Sequence, residues 1–262
     1  MAIEGQFSGR VALVTGGGSG IGQGAAIDLG AKGAKVAVLS RKPDRIQETV
    51  DTITEAGGEA IGVSADVTSQ EQLEAAVREI DETWGRLDHV VANAGKNGMF
   101  APLDDLTLEE WNDTIATNLT STFLTVRASL PLLKRQGGSI VVVSSINGSR
   151  NFHYTGATAY STSKAGQVAF TKMASVELNQ FGIRINVVCP GAIDTRINTE
   201  GTQRRNTESI HWPKEHPKGW FPLTGGPAQP HQVAKTISFL LSDNADYISG
   251  SEIWVDSGSS LL

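Results

Sequence analysis

Tyr160 and Lys164 stand four residues apart in Tyr160-Ser161-Thr162-Ser163-Lys164, at the start of a strongly helical stretch, so both side chains project from one helix face. A free tyrosine titrates near 10, and an adjacent ammonium stabilises its phenolate, which predicts an acid/base brought toward a useful range. Far upstream, Thr15-Gly16-Gly17-Gly18-Ser19-Gly20-Ile21-Gly22 follows a β-like run and opens a helix-like run. That is the context in which backbone N–H groups at a helix N-terminus meet a pyrophosphate. Together the two motifs imply hydride transfer between a bound nicotinamide cofactor and a carbonyl or secondary alcohol.

The elements that must position these groups are readable as seven short, largely β-branched runs. They lie near Val11 to Val14, Val36 to Leu39, Ile61 to Val63, Leu87 to Ala92, Ile140 to Val143, Ile185 to Val188 and Ile253 to Val255. Helical patterns occupy most intervals, including Ile46-Val50-Ile53, Leu73-Val77-Ile80-Trp84, Ile115-Leu119-Phe123 and Val233-Ile237-Leu240. Alternation of this kind predicts an α/β, doubly wound Rossmann fold: a seven-stranded, mostly parallel sheet with helices on both faces. No Pro/Gly/Ser-rich linker divides the 262 residues, so residues 1–262 are expected to form a single domain. Roughly residues 196–226 break the pattern, with Trp212, Trp220, Phe221 and three prolines but no sustained period. A long irregular insertion of this sort is expected to be a substrate-binding loop or lid, although its aromatics could equally cover the core or a subunit contact.

Composition narrows the partners. A hydrophobic fraction of 39% with 29 glycines and 9 prolines suits a compact chain, and a formal net charge of −6 gives no basic field for nucleic acid. The apolar runs are far too short to span a bilayer, so no membrane partner is expected. The single Cys189 cannot form an intrachain disulfide, and the N-terminal residues show no secretory pattern; a cytoplasmic setting is the expectation. Cys189 itself reads as a small apolar group. His211 and His216 bracket a proline and lack metal-site spacing, so no metal is expected.

Counting about 20 residues past the glycines reaches Ser40-Arg41-Lys42. No acid stands there to hold a ribose 2′-hydroxyl, whereas Arg41 offers a fork suited to a 2′-phosphate. NADP(H) is therefore favoured, with NAD(H) possible; Arg41 and Lys42 could instead be solvated loop charges.

At this point the chain resembles the short-chain dehydrogenase/reductase family, in its compact single-domain branch, from about Gly9 to Gly258. Thr15-Gly16-x-x-x-Gly20-x-Gly22 is similar to the family's cofactor turn, Asp66-Val67 to its adenine contact, Asn93-Ala94-Gly95 to its fourth-strand motif, and Pro190-Gly191 with Thr195 to its nicotinamide-side turn. The resemblance implies cofactor contacts from Gly16, Gly18, Ser19, Gly20, Ile21, Gly22, Ser40, Arg41, Asp66, Val67, Asn93, Ala94, Gly95, Tyr160, Lys164, Pro190, Gly191, Ile193 and Thr195. It also implies a catalytic tetrad of Asn118, Ser145, Tyr160 and Lys164. Ser145 would hydrogen-bond the substrate oxygen, Tyr160 would move the proton, Lys164 would hold the nicotinamide ribose, and Asn118 would hold a water linked to the lysine.

A homotetramer acting on a small-molecule carbonyl or secondary alcohol is likewise implied. Alternatives are a 3-oxoacyl-carrier-protein reductase-like activity, a sugar or polyol dehydrogenase, or a nicotinamide redox sensor without turnover. Ser145 precedes Tyr160 by 15 positions, a longer spacing than the family's, so the intervening loop shapes its own pocket. Asn147, Phe152, His153 and Tyr154 there, with Trp212 and Trp220 in the lid, are candidate substrate contacts, loop packing being the alternative. Phe181 stands where carrier-protein reductases of the family often place a basic residue.

Overall fold

Each of the seven β-branched runs becomes a strand of one sheet. The computed structural model describes residues 5–152, 154–210, 223 and 225–261. The strands are β1 (Val11–Thr15), β2 (Lys35–Ser40), β3 (Glu59–Ser64), β4 (His89–Ala92), β6 (Gly138–Val143), β7 (Ile183–Pro190) and β9 (Glu252–Val255), with β5 (Gly98–Phe100) and β8 (Thr202–Arg204) forming a separate small pair. The sheet order is β3-β2-β1-β4-β6-β7-β9, and every adjacent pair is parallel.

Strand residues alternate between two apolar layers, which is why the runs are continuously apolar rather than half polar. Val11 and Leu13 enter one layer with Leu73, Ile80, Ile140 and Ile185; Ala12 and Val14 enter the other with Leu29, Val38, Val141 and Ile237. Helices α1 (Gly20–Ala31), α2 (Pro43–Glu55) and α8 (Pro230–Leu241) line the second layer, while α3 (Gln70–Trp84), α5 (Ser121–Leu133) and α6 (Thr158–Leu178) line the first. The order of strands reverses between β1 and β4, and open α/β sheets bind ligands at the crevice beyond such a switch point. The glycine turn and Asn93-Ala94-Gly95 leave the sheet at that crevice.

Two features depart from the sequence reading. The run through Ile115, Leu119 and Phe123 is not one regular helix: α4 (Leu108–Ile115) passes through a π-helical turn, Ala116–Thr120, into α5. Such turns arise where an extra residue is accommodated to aim a side chain, and here the buried one is Asn118. The second departure lies in the expected irregular segment, which contains α7 (Ile197–Glu200) and β8, the latter paired with β5 in the register Gly98 to Thr202 and Phe100 to Arg204. Three-residue strands carry no legible period, and only tertiary contact defines this one. Among the described residues, no helix is long and apolar enough to cross a membrane.

Candidate active site

The glycine turn is built by backbone conformations that side chains disfavour. Gly20 has φ +55°, and a methyl group there would sit 3.1 Å from Thr195 Cγ2; at Gly22 it would meet Gly16 O at 2.3 Å. Thr15 Oγ1 fastens the switch point by donating to Val91 O (3.2 Å) and accepting from the N–H groups of Asn93 (3.0 Å) and Ala94 (3.2 Å). Asn93 Nδ2 donates to Thr15 O at 3.0 Å.

A cavity of about 550 Å³ opens at this crevice. Of the sequence-derived cofactor contacts, Gly16, Ser19, Gly20, Ile21, Ser40, Arg41, Asp66, Val67, Asn93, Ala94, Gly95 and Thr195 line it. Gly18 packs against Arg45, and Gly22 against Gly16 and Asn93, so these two shape the turn from behind. Pro190 ends β7, Gly191 donates to Val255 O at 3.1 Å, and Ile193 is buried in the apolar layer and bridged to Ala228; none of the three reaches the cavity wall.

Lys42, Arg45, Lys96, Thr117 and Glu200 also line the cavity. Lys42 was legible beside Arg41, but Arg45 carried only its position one turn into α2, and Glu200 carried no signal. Arg41 is two-thirds exposed and lies 3.8 Å from Asp66 Oδ2. Arg45 Nη2 donates to both oxygens of Glu200 (2.7 and 2.9 Å), and Lys42 Nζ donates to Oε2 at 3.2 Å. These hydrogen bonds hold the Glu200 carboxyl down at about 2.

The reacting groups converge just beyond Gly95. A methyl group at Gly95 would lie 3.1 Å from Asn118 Oδ1 and 3.6 Å from Lys164 Nζ, so these side chains meet just behind the Gly95 wall; Tyr160 and Lys164, expected as cofactor contacts, do not themselves line the cavity. Asn118 is fully buried; its Nδ2 donates to Lys96 O (2.9 Å) and Ser163 Oγ (2.9 Å), and its Oδ1 accepts from Lys96 N (2.8 Å). Ser145, just past β6, accepts from Asn147 N at 3.2 Å and is within hydrogen-bonding reach of the Tyr160 hydroxyl. Ser144 Oγ donates to Lys164 O at 2.8 Å, locking α6 to the end of β6.

The ionisation of the pair differs from the sequence expectation. Burial pushes Tyr160 up to about 12, with the Ser145 hydrogen bond pulling the other way, and burial pushes Lys164 down to about 8. Lys164 Nζ donates to Val143 O at 3.0 Å and lies 5.7 Å from the centre of the Tyr160 ring, too far to offset the tyrosine's loss of solvent. The chain alone therefore holds Tyr160 as a protonated acid at neutral pH.

The candidate substrate contacts fall in different places. Asn147 is buried against Ser145, with Oδ1 lacking a partner among the described residues. Phe152 and Tyr154 are largely exposed and line a second cavity of about 580 Å³ with Ala101, Pro102 and Ile210. Phe100 is buried between the rings of Tyr154 (6.5 Å) and Tyr160 (6.3 Å), a contact that sequence reasoning missed. His153, Trp212 and Trp220, like His211 and His216, lie outside the described residues. Cys189 is buried in the apolar layer, and burial pushes its thiol up to about 12.

Fold and site define a dinucleotide-dependent oxidoreductase of the doubly wound class. A family model described as enoyl-(acyl carrier protein) reductase matches residues 16–260. The chain is 30% identical to levodione reductase of Leifsonia aquatica (97% of this chain, 96% of that protein) and 34% identical to cyclohexanol dehydrogenase of Acinetobacter sp. strain SE19 (97% and 96%). The crystal structure of a 3-ketoacyl-ACP reductase from Sinorhizobium meliloti 1021 superposes with a TM-score of 0.91 at 48% identity, covering 97% of this chain and 100% of that one. The chain belongs to the short-chain dehydrogenase/reductase family. It is an NAD(P)-dependent oxidoreductase that transfers hydride between nicotinamide and a carbonyl or secondary-alcohol carbon.

Proposed function

We propose that the chain is an NADP(H)-preferring carbonyl reductase and alcohol dehydrogenase in which Tyr160 is the general acid/base. The observation carrying this reading is the convergence of Ser145, Tyr160, Lys164 and Asn118 behind Gly95, a residue of the wall of a cavity that Arg41 also lines. The glycine cradle and Arg41 fit a dinucleotide. Gly16, Ser19, Gly20, Asp66, Ala94 and Thr195 would hold it, and when bound it supplies or accepts the hydride. Ser145 donates a hydrogen bond to the substrate oxygen, where charge develops during reduction. Tyr160 then gives its proton to that oxygen, and in oxidation it takes the proton back. Lys164, an ammonium at neutral pH, holds the ribose hydroxyls, and Asn118 keeps the Gly95-Lys96 turn in place around it.

Arg41 supports NADP(H) because no carboxylate ends β2 and its guanidinium faces the cavity. Residues 1–262 form one domain in this reading, with residues 196–226 as the lid. The substrate is a small-molecule carbonyl or secondary alcohol. The names of the relatives point to cyclic ketones and alcohols, and Phe152 and Tyr154 beside the site suit an apolar one. A second reading, reduction of a 3-oxoacyl thioester, is favoured by the 48% identity to the Sinorhizobium protein and by Lys134 Nζ lying 4.0 Å over the Phe181 ring, which restores a cation at that surface.

A homotetramer belongs to the same proposal. Phe123, Met173 and Val176 on the outer faces of α5 and α6, and Phe239 and Tyr247 around α8, are exposed apolar surface in the single chain. Light scattering tests it, a monomer at assay concentration being contrary. A cytoplasmic location rests on the lone Cys189 and is checked by cell fractionation. The functional test is carbonyl reduction across cyclic ketones, sugars, keto esters and 3-oxoacyl thioesters with each cofactor, wild type against Arg41→Ala. We expect turnover with NADPH and about a tenfold loss of NADPH preference in the variant, in line with a lost charge-assisted contact. Equal use of both cofactors, unchanged by the substitution, overturns the NADP(H) preference; tight cofactor binding with no turnover returns the redox sensor.

A further inference from the structure

The phosphate-seeking end of the cofactor cavity already contains an anion. Lys42 caps the N-terminus of α2 and Arg45 lies one turn in, its Cβ against Gly18 of the glycine turn. Both cations are taken by Glu200, the last residue of α7, and all three groups line the same cavity as Arg41. The pairing bridges a long stretch of sequence, and α7 is held in place from its other side. Thr202 Oγ1 donates to Ile197 O (2.8 Å), Asn97 Nδ2 donates to Thr202 Oγ1 (2.7 Å), and Gly98 N donates to Gly201 O (2.9 Å). The backbone that carries the carboxylate is thus anchored at the cavity wall.

An adenosine 2′-phosphate seeks the cations at the end of β2 and the start of α2. With Glu200 in place, Arg41 is the one of these three cations still offered to it, shared with Asp66 at 3.8 Å; Arg196 also lines the cavity. A phosphate entering beside Glu200 meets a like charge unless the carboxylate is displaced. A cofactor with a free 2′-hydroxyl meets no such conflict. We propose that Glu200 is a cofactor-discriminating residue that occupies the Lys42 and Arg45 cations, so that a 2′-phosphate gains them only by displacing it whereas NAD(H) binds with it in place. Arg41 and Glu200 then act in opposition, the first drawing the 2′-phosphate and the second withholding two further cations from it. This inference rests on the nicotinamide-dependent reading given above.

The test is equilibrium binding of NADPH, NADH, 2′,5′-ADP and 5′-AMP to wild type and Glu200→Gln, by calorimetry and nucleotide fluorescence. Removing the charge is expected to tighten NADPH and 2′,5′-ADP about fivefold, the upper range for a partly exposed ion pair, with NADH and 5′-AMP moving by less than about twofold. Glu200→Ala is expected to give the same ordering, which separates charge from local packing. In an Arg45→Gln, Lys42→Gln background the gain from Glu200→Gln should vanish, because no cations are left to release. Equal tightening of both cofactors, or no change in either while wild type binds them, overturns the role of Glu200 alone. Failure of wild type to bind NADPH and NADH at all removes the nicotinamide reading, and this inference with it.

Discussion

Replacing Asn118 by alanine is expected to loosen the turn that carries Gly95 and Lys96 before it affects any reacting group. The side chain makes three hydrogen bonds of 2.8 to 2.9 Å, two with the main chain of Lys96 and one with Ser163 Oγ, and it is fully buried. At a net contribution of about 1 kcal/mol each, their loss costs about 3 kcal/mol. For a chain of this size that is a fall in thermal midpoint of about 6–12 °C. Gly95 and Lys96 line the cofactor cavity, so cofactor affinity should weaken as well. Differential scanning fluorimetry with and without NADPH measures both effects, and the gap between the two midpoints should narrow in the variant. A midpoint within about 2 °C of wild type, with the cofactor-induced shift intact, would refute the view that Asn118 holds this turn.

Two further outcomes follow from the same geometry. His89, the first residue of β4, is buried, with Nδ1 2.8 Å from Ser139 Oγ, and burial pushes it down from 6.5 to about 4, with Asp88 opposing. Its folded-state value lies below its unfolded one, so stability is complete above pH 6.5 and is lost as pH falls toward 4. The 2.5 units between 6.5 and 4 amount to about 3 kcal/mol, and denaturant titrations should show that loss in wild type but not in His89→Gln. Equal slopes in the two proteins count against it. Gly20→Ala places a methyl group at φ +55°, 3.1 Å from Thr195 Cγ2, and should weaken NADPH binding about tenfold through backbone strain of about 1–2 kcal/mol; an unchanged dissociation constant contradicts the close approach.

The sheet was legible because burial on both faces selects continuous β-branched runs such as Ile140 to Val143, and these runs have few alternative readings. The cavity wall was legible where chemistry demands a local pattern, as in Gly16, Ser19 to Ile21 and Asn93 to Gly95. Long-range features were not. The π turn at Asn118 depends on what the helix packs against, and the pairing of β5 with β8 depends on a register that three residues cannot encode. Glu200 meets Arg45 only after the chain has folded back across the crevice. The rise of Tyr160 to about 12 is likewise a consequence of burial, and the Tyr-x-x-x-Lys spacing pointed in the opposite direction.

The central claim is that the Tyr160 hydroxyl moves the proton while the fold binds the nicotinamide. Tyr160→Phe removes that oxygen and keeps the ring packed against Phe100. Steady-state carbonyl reduction, paired with NADPH binding by fluorescence, should give a dissociation constant within about twofold of wild type and a kcat reduced at least about 100-fold, the range for a lost general acid. Turnover within about tenfold of wild type, with cofactor still bound, would contradict the account.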